Sequence, residues 1–409
     1  MTQAADTPPE RGIPTREVGM TSQEREDRPI RVLINALHAK SGGGITYLRN
    51  IVPELACDPR LELHLFLHVD QCGLFLPVDE RVRLHVLDFR PGFWNLLIWE
   101  QLSLPVVARV MSADVTFSPA NFGPLLAPRS VVLLRNAVAV AGSEPRLAKR
   151  VYWAGLALMT AVSLLAARRA IAVSDYARGA LTFGMKRLAA RKVSVVHHGV
   201  DPRFTPGETA GGDGPSFLLA VSDLYIQKNL HTLVRALPAI RAAHPDIVLK
   251  IAGRAIDRDY ADLLEALVAR EGLADCVEFL GEQPMDRLIA LYRQCAVFVF
   301  PSTVETFGNP LAEAMACGAA IACSNSSAMP EVAANAARLF DPNDPADMAA
   351  HINAILGNEA AAQTLRESAR RRGREFSWQR AAQQTADVLI DAAGGRAAAA
   401  RLLADREGA

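Results

Sequence analysis

Short apolar runs alternate along the chain with longer segments whose apolar residues recur every three or four positions. In the first half, seven runs have the composition of strands, and several are apolar at successive positions, as strands covered on both faces are. They are residues 29–35, 61–69, 82–87, 113–117, 130–134, 170–174 and 193–197. The intervening segments are long enough for the crossover helices that parallel strands require.

Six further runs follow residues 201–215, DPRFTPGETAGGDGP, whose Pro and Gly content predicts a linker. They are residues 216–221, 246–253, 276–280, 296–300, 319–323 and 337–340, with helical patterns around 229–244, 257–271 and 285–294. From residue 345 to 405 the pattern is helical, with a break at 376–378. Two successive βα arrays predict two doubly wound α/β domains, with a ligand site in the cleft at the carboxyl ends of the strands.

Three segments provide information about where in the cell the protein is located. Residues 1–29 are polar and lack a hydrophobic segment, which predicts a disordered tail and no secretory signal. Residues 151–167 carry no charge, but as a helix they reach only about 26 Å, short of a hydrocarbon core of about 30 Å. We favour a core-packed helix there, with a membrane-surface helix and a membrane span as alternatives. The apolar stretch FWNLLIW at 93–99 adds to the membrane-surface alternative.

Charge and cysteine content narrow the class of protein. The chain has 44 Lys and Arg against 44 Asp and Glu, so it lacks the basic surplus typical of nucleic-acid binding. Its six cysteines form no CxxC pair, and several lie in apolar runs. We therefore expect buried free thiols in a reducing compartment, and a cytoplasmic location.

Two loops after predicted first strands carry candidate anion-binding groups. Ser41-Gly42-Gly43-Gly44 lies between a strand and a helix, where backbone N–H groups can face an anion. A tight turn without a ligand is the alternative. In the second domain Lys228 follows the strand at 216–221 and precedes a helix, where it could neutralise a phosphate. A solvated surface lysine is the alternative there.

The segment VETFGNPLAEAM, residues 304–315, contains the most specific candidate chemistry. Asn309 is a suitable N-cap, and Pro310 is suited to the first turn of a helix that ends at Gly318. The positive end of that helix would face outward, and Gly308 would let a diphosphate approach the backbone. Glu305 could accept hydrogen bonds from sugar hydroxyls, and Glu313 from the diol of a ribose. Two solvated acids near a helix start are the alternative.

At these residues the chain resembles the family-4 glycosyltransferases, retaining nucleotide-sugar enzymes of the two-domain GT-B fold. The strongest match is CAVFVFPSTVETFGNPLAEAMACGAAIACSNSSAMPEV at 295–332, which contains the family's E-x7-E pattern as Glu305 and Glu313. Further matches are residues 35–55, 170–181, 193–204, 220–237, 277–295 and 376–389.

The resemblance implies a domain organisation for the whole chain. After the tail, residues 30–204 form an acceptor-side Rossmann-like domain, and residues 205–375 form a Rossmann-like domain that binds the nucleotide sugar. The two domains face each other across a cleft. Residues 376–409 form a helical segment that crosses back onto the first domain.

The resemblance also implies a role for each matching residue. Glu305 would hold the donor sugar and stabilise the developing oxocarbenium charge, and Lys228 would balance the diphosphate leaving group. Arg135 and Asn136, which do not match the family pattern, are the other catalytic candidates, since either could contact the sugar or a phosphate. The remaining donor-binding positions are Gly43, Gly44, Asn229, Gly253, Phe307, Gly308, Asn309 and Glu313.

The chain departs from the family pattern at two positions. Relatives carry a basic residue near the position of Asp223, five residues before the lysine. Many also place a histidine after the fifth strand, where this chain has Arg135 and Asn136, and Arg135 is a candidate replacement for the lost cation. The segment Ser118-Pro119-Ala120-Asn121 is a further candidate for the acceptor side.

The implied activity is transfer of a hexosyl group from a nucleotide-diphosphate sugar to a hydroxyl of a glycan or lipid-linked acceptor, in polysaccharide, lipopolysaccharide or glycolipid assembly. The donor is a substrate, and neither a metal nor another cofactor is expected. The alternatives are a catalytically impaired sugar-nucleotide-binding protein and a GT-B epimerase or phosphorylase. We expect no nucleic-acid partner, and we leave open a peripheral contact with the inner face of a membrane through 93–99 and 151–167.

Overall fold

The computed structural model describes residues 28–40, 42–135, 147–207 and 216–394. These residues form two parallel β-sheets, each covered by helices on both faces. Burial on both faces explains why the strands are apolar at successive positions. The predicted pair of doubly wound α/β domains is therefore confirmed.

The first sheet has seven strands in the spatial order β3-β2-β1-β4-β5-β6-β7, all parallel. They are β1 (Ile30–Asn35), β2 (Leu61–His68), β3 (Val82–Leu87), β4 (Val115–Ser118), β5 (Ser130–Leu134), β6 (Arg169–Ala172) and β7 (Val193–Val195). The second sheet has six strands in the order β10-β9-β8-β11-β12-β13, also parallel. They are β8 (Phe217–Val221), β9 (Val248–Ala252), β10 (Val277–Gly281), β11 (Val297–Phe300), β12 (Ile321–Ser324) and β13 (Arg338–Phe340). All thirteen predicted strands are present.

Helices connect the strands. In the first domain they are α1 (Gly43–Leu55), α2 (Cys72–Phe75), α3 (Phe93–Ile98), α4 (Leu104–Val110), α5 (Leu147–Ala166), α6 (Asp175–Leu181) and α7 (Lys186–Lys192). A π-helical segment, Trp99–Ser103, joins α3 and α4 into one continuous helix, and Val69–Gln71 and Ile226–Lys228 are short 3-10 turns. The remaining helices are α8 (Leu230–Ala243), α9 (Arg258–Arg270), α10 (Met285–Gln294), α11 (Asn309–Cys317), α12 (Met329–Ala333), α13 (Pro345–Leu356), α14 (Glu359–Gly373) and α15 (Trp378–Ala393).

The strand order of each sheet reverses at one place, between β1 and β4 in the first domain and between β8 and β11 in the second. Connections leave such a place on opposite faces of the sheet, which opens a crevice at the carboxyl ends of the strands. Gly43, the first residue of α1, follows β1, and the segments after β8 and β11 carry Lys228 and Glu305. The topology therefore places the predicted site residues at the two crevices.

Residues 151–167 were interpreted as a core-packed helix, but the helix formed there, α5, is buried on one side only. One side, which includes Leu156 and Leu164, is buried, whereas Val151 and Leu158 on another side are about two-thirds exposed, at 66% and 67%. An unbroken apolar run does not show which side of a helix faces water. None of the described helices combines the length and apolar character needed to cross a bilayer.

The cysteines follow the prediction in part. All six are free, and Cys276, Cys295, Cys317 and Cys323 are buried. The other two lie in the first domain, where Cys57 is exposed and Cys72 is half-buried.

The last described helix, α15, crosses back onto the first domain and packs on α1 and on the first sheet. The chain leaves that domain at Gly199 and Val200 and returns beside the same point. Val200 N–H donates to the carbonyl of Phe376 at 3.1 Å, and Val200 pairs with Ser377 in an isolated parallel bridge. A β-carbon at position 199 would lie 2.3 Å from the backbone nitrogen of Trp378, so only glycine allows the two segments to come this close.

Gly199→Ala should destabilise the protein, since the added methyl group meets backbone that cannot move without separating the domains. We expect a loss of about 2–3 kcal/mol, measured as a lower urea midpoint. Gly155→Ala is the matched control, because position 155 is exposed within α5 and has no heavy atom within 4 Å of the new carbon. That control should gain up to about 1 kcal/mol from helix propensity. Equal midpoints for the two variants would contradict the proposed constraint.

Candidate active site in the interdomain cleft

Three loops at the carboxyl edge of the second sheet are tied into one wall of the cleft. Thr303 N–H donates to the carbonyl of Gln227 at 2.9 Å, which joins the loop after β11 to the loop after β8. Ser326 Oγ donates to the carbonyl of Thr303 at 2.8 Å, and Glu305 N–H donates to Ser327 Oγ at 2.9 Å, which adds the loop after β12. The position of Glu305 is therefore fixed by backbone and hydroxyl contacts on both sides.

Lys228 and Glu305 meet in this wall. Lys228 Nζ lies 2.5 Å from Glu305 Oε1, and both side chains are mostly buried. The pairing excludes the solvated alternatives considered for each residue. Such a pair can separate when a ligand enters, so that the lysine binds an anionic phosphate and the carboxylate accepts hydrogen bonds from sugar hydroxyls.

Helix α11 begins one residue away from the prediction. Gly308, not Asn309, is the N-cap, with a positive φ of 88° that favours glycine. Asn309 and Pro310 are the first two residues of the helix, and it ends at Gly318 as predicted. Within the described part of the chain, the N–H groups of Phe307, Gly308 and Asn309 have no acceptor. They are free to bind an anion at the positive end of the helix.

The side chains of Phe307 and Asn309 turn away from such an anion. Phe307 is buried, with its ring centroid 5.2 Å from that of His198 and 5.4 Å from that of Phe376. Asn309 Oδ1 lies 3.0 Å from His198 Nδ1. Burial lowers the pKa of His198 to about 4, so the ring is neutral near pH 7. Phe307 and Asn309 thus have only their backbone available to a donor.

Asn229 and Gly253 were both predicted to bind the donor. In the structure both residues hold neighbouring loops together. Asn229 is buried, and its Nδ2 donates to the carbonyls of Pro301 at 3.1 Å and Pro342 at 2.7 Å. A β-carbon at Gly253 would lie 1.9 Å from the carbonyl oxygen of Ser222, so that glycine packs β9 against the loop after β8.

Glu313 lies one turn into α11, where Tyr292 OH donates to its Oε2 at 3.0 Å. It lines a cavity of about 200 Å³ together with Asn309, Gln283 and Thr46, which come from both domains. Burial raises the pKa of Glu313 to about 7, and the hydrogen bond from Tyr292 acts in the opposite direction. The carboxylate is therefore poorly solvated and has acceptor capacity left for a ligand diol.

The opposite wall comes from the first domain and is built around Arg135. Its guanidinium lies against the glycine turn, since a β-carbon at Gly44 would be 2.5 Å from one guanidinium nitrogen and one at Gly43 would be 3.7 Å from another. The segment predicted for the acceptor side holds this arginine: Arg135 N–H donates to Asn121 Oδ1 at 2.9 Å, and Nε donates to the carbonyl of Pro119 at 3.1 Å. Asn136, the other catalytic candidate here, lies outside the described residues.

Arg135 has no carboxylate partner among the described residues. Burial lowers the pKa of its guanidinium, which reflects the cost of holding an unpaired cation in this wall. An anion that entered the cleft would relieve that cost. This is the electrostatic feature that the sequence alone does not reveal.

Hydrogen bonds across the cleft bring the two walls together. Thr306, next to Glu305, donates from Oγ1 to the carbonyl of Arg135 at 2.5 Å, and its own carbonyl accepts from Ser174 Oγ at 2.5 Å. Glu331 of the second domain accepts from the N–H groups of Asp175 and Tyr176 at 2.8 and 3.1 Å, at the start of α6. The backbone of Arg135 is thus joined to Thr306, the residue that precedes the free amides at the start of α11.

Two groups near the cleft escaped sequence reasoning. Glu100 is fully buried, and its Oε1 lies 2.7 Å from Asn35 Nδ2 and 3.0 Å from His38 Nε2, so a carboxylate from an apolar helix reaches the end of β1. Arg254 forms a two-pronged contact with Asp223, with nitrogen–oxygen distances of 3.3 and 3.0 Å. Asp223 is therefore an acid where a basic residue was expected, but its carboxylate binds the guanidinium of Arg254 from the loop after β9.

Comparison with known proteins agrees with this architecture. Residues 205–372 match the family model described as glycosyl transferases group 1. A glycogen synthase from Mycobacterium tuberculosis is 31% identical over 208 residues, which are 50% of this chain and 50% of that protein. The O-antigen chain mannosyltransferase B of Escherichia coli is 38% identical over 128 residues, 30% of this chain and 32% of that one. The chain thus spans half or less of the length of these curated relatives.

The fold as a whole is similar to solved structures. HepE from Anabaena in complex with UDP-glucose superposes with a TM-score of 0.68 at 18% identity, covering 88% of this chain and 100% of that chain. Similarity at this level shows the fold, which is GT-B: two Rossmann-like domains that face each other across a cleft, with α15, the last described helix, returning to the first. The predicted fold class is confirmed.

The raised pKa of Glu313 predicts a stability difference that depends on pH. Between the unperturbed value of 4.5 and the folded value of about 7 the folded state holds the extra proton, so this residue's contribution to stability falls as pH rises through that window. Glu313→Gln has no such charge, and should be more stable than the unsubstituted protein by about 1–3 kcal/mol at pH 8, with the difference vanishing near pH 5.

Thermal unfolding of the ligand-free protein across pH 5–8 measures this difference. Glu265→Gln, at an exposed position on α9, is the control and should show no pH-dependent gain. A gain for Glu313→Gln that is the same at pH 5 and pH 8 would show that packing, and not charge, is responsible.

Proposed function

We propose that this protein is a retaining glycosyltransferase that moves a hexosyl group from a nucleotide-diphosphate sugar to an acceptor hydroxyl, in polysaccharide, lipopolysaccharide or glycolipid assembly. The observation that carries the proposal is the contact of Thr306 with the backbone of Arg135, which joins an arginine without a carboxylate partner to the residue that precedes the free amides of α11. The match to glycosyl transferases group 1 and the likeness to a fold that holds UDP-glucose in HepE support the same donor class.

In this proposal the diphosphate lies between the two walls. The amides of Phe307, Gly308 and Asn309 donate to the distal phosphate, while Lys228 and Arg135 balance its charge. Lys228 exchanges its contact with Glu305 for the phosphate. The carboxylate of Glu305 is then released to accept hydrogen bonds from the sugar and to stabilise positive charge at its anomeric carbon. No metal or other cofactor has a role in this scheme.

The transfer step breaks the bond between the anomeric carbon and the phosphate oxygen, and the electron pair leaves with the nucleoside diphosphate. The acceptor hydroxyl attacks the same face of the sugar, and its proton passes to the departing phosphate oxygen, which gives retention of configuration. Preorganised positive charge lowers the barrier because it is strongest where negative charge develops.

Arg254 is our candidate for the second cation that relatives carry near the lysine. Its guanidinium is held by Asp223, five residues before Lys228, and it follows β9 at the same edge of the sheet. Asp223, which stands where relatives have a basic residue, thus holds the positive charge of Arg254 near that position. Without that charge, the departure at Asp223 favours a sugar-nucleotide-binding protein with impaired catalysis.

A panel of UDP-, GDP- and ADP-sugars separates these possibilities. A transferase hydrolyses one donor slowly without an acceptor and releases the sugar with its anomeric configuration retained, as read by NMR. Turnover to an isomer, or only with inorganic phosphate, would identify an epimerase or phosphorylase. If no donor turns over, and Glu305→Ala leaves the cell's glycans unchanged, the transferase proposal fails.

Lys228→Ala should lower kcat for the hydrolysed donor by about 100- to 1000-fold, because one preorganised charge on the leaving group is lost. Lys250→Ala, which removes a lysine that pairs with Glu278 in the same domain, is the control and should keep kcat within about twofold. A loss of kcat of the same size in both variants would point to a general fault in the domain.

Glu313→Gln should weaken the binding of the free nucleoside diphosphate more than Glu305→Gln does, because only Glu313 is assigned to the ribose. We expect about a tenfold larger Kd for the former and a change below threefold for the latter, a difference of about 1 kcal/mol. Isothermal titration calorimetry measures both. Equal losses would reject the division of roles between the two acids.

A further inference from the structure

The continuous helix formed by α3, the π-helical segment and α4 exposes a line of large apolar side chains. They recur every four residues and are mostly exposed: Trp94 at 71%, Ile98 at 54%, Leu102 at 63%, Val106 at 58% and Val110 at 51%. Monomeric proteins rarely leave so regular an apolar stripe open to water.

Helix α5 adds a second line of exposed apolar side chains. They are Leu147, Val151, Leu158, Val162 and Leu165, with exposures between 41% and 74%, and Tyr152 is exposed on an adjacent side. The opposite side of the helix, including Leu156 and Leu164, is buried. The helix is therefore apolar on its buried side and also on part of its exposed side.

The loop between β4 and β5 joins the two lines into one surface. Gln101, from the π-helical segment, accepts from Leu125 N–H at 3.0 Å and donates to the carbonyl of Gly123 at 3.2 Å. On its other side Gly123 N–H donates to Ser163 Oγ of α5 at 3.4 Å. Leu125 and Leu126 are themselves exposed, so the loop continues the apolar surface from one helix to the other.

A basic cleft begins where this apolar surface ends. It has a volume of about 610 Å³ and is lined by Arg129, Arg168, Arg187, Arg191 and Lys192, among others. Arg169 also lines the cleft and pairs with Asp391 of α15, whereas these five have no carboxylate partner within the described ranges. Lys192 Nζ donates to the carbonyls of Leu165 and Ala167 at 2.8 Å, at the end of α5, so the cleft directly adjoins the apolar line.

Positive charge predominates around the surface. Residues 93–110, 121–130, 147–169 and 182–193 contain ten Lys and Arg but only one acid, Glu100, which is fully buried. The chain as a whole is balanced at 44 charges of each sign, so this asymmetry is local. An apolar face edged by cations is complementary to the interface of a bilayer that contains anionic lipid.

We propose that this face of the first domain docks onto an anionic phospholipid bilayer, with the two apolar lines in the interface and headgroup phosphates in the basic cleft. A second copy of the chain fits less well. A two-fold contact would place the same patch against itself and bring the two sets of cations close together. The proposal concerns a surface outside the active site and holds whichever sugar or acceptor the enzyme uses.

Sedimentation of the full chain with sucrose-loaded vesicles tests the docking. We expect at least tenfold tighter partitioning onto phosphatidylcholine with 25% phosphatidylglycerol than onto phosphatidylcholine alone at about 0.1 M salt, and a marked loss at about 0.5 M salt. Arg187→Gln with Arg191→Gln should weaken binding to the anionic vesicles at least fivefold. The control pair, Arg258→Gln with Arg270→Gln on α9, removes two exposed arginines from the other domain and should bind like the unsubstituted chain.

The apolar part has its own variant. Leu102→Ser with Val106→Ser should lower partitioning at least fivefold at either salt concentration, while Ile256→Ser with Leu263→Ser, at exposed positions of the second domain, should not. Unchanged melting temperatures show that each variant is folded. The proposal is overturned if the unsubstituted chain fails to bind anionic vesicles or if both surface variants bind as it does. A dimer in sedimentation velocity that Leu102→Ser with Val106→Ser abolishes, without vesicle binding, would assign the face to a second copy.

Discussion

The contact between Gly199 and Trp378 is the constraint on which the rest of the architecture depends. At this point the chain leaves the first domain and comes back to it, and the missing side chain lets two backbone segments pack directly. The aromatic rings around it, from His198, Phe307 and Trp378, continue one hydrophobic core from the first sheet to the second. Because the two sheets are fixed at this junction, their carboxyl edges face each other across the cleft.

The facing edges contribute different kinds of group. The second domain supplies a rigid wall of tied loops, in which Lys228 and Glu305 satisfy each other. The first domain supplies Arg135, which no carboxylate satisfies among the described residues. The ion pairs Lys228–Glu305 and Arg254–Asp223 are each neutral, whereas Arg135 adds an unpaired positive charge opposite the free amides at the start of α11. The electrostatic potential of the cleft is therefore complementary to a diphosphate before any ligand arrives.

Sequence reasoning recovered the fold well, because strands buried on both faces carry a strong apolar signal. All thirteen strands and the break before α15 were predicted. Side-chain directions were not recoverable. Asn229 lies next to Lys228 in sequence, yet a left-handed backbone turns its amide inward, where it holds two other loops. Glu100 sits in an apolar run, and only the packing of its helix against β1 brings it to His38. Contacts between residues distant in sequence decide both cases.

The return of α15 to the first domain also governs the order in which the protein can fold. Gln379 of α15 donates to Glu54 of α1, and the two residues are 325 positions apart. The second domain lies entirely between them in sequence and has its own sheet. On a ribosome it can close its sheet while the first domain still lacks the helix that covers α1. The domain synthesised first is thus the one completed last, and its exposed α1 face is the surface that a chaperone would have to protect.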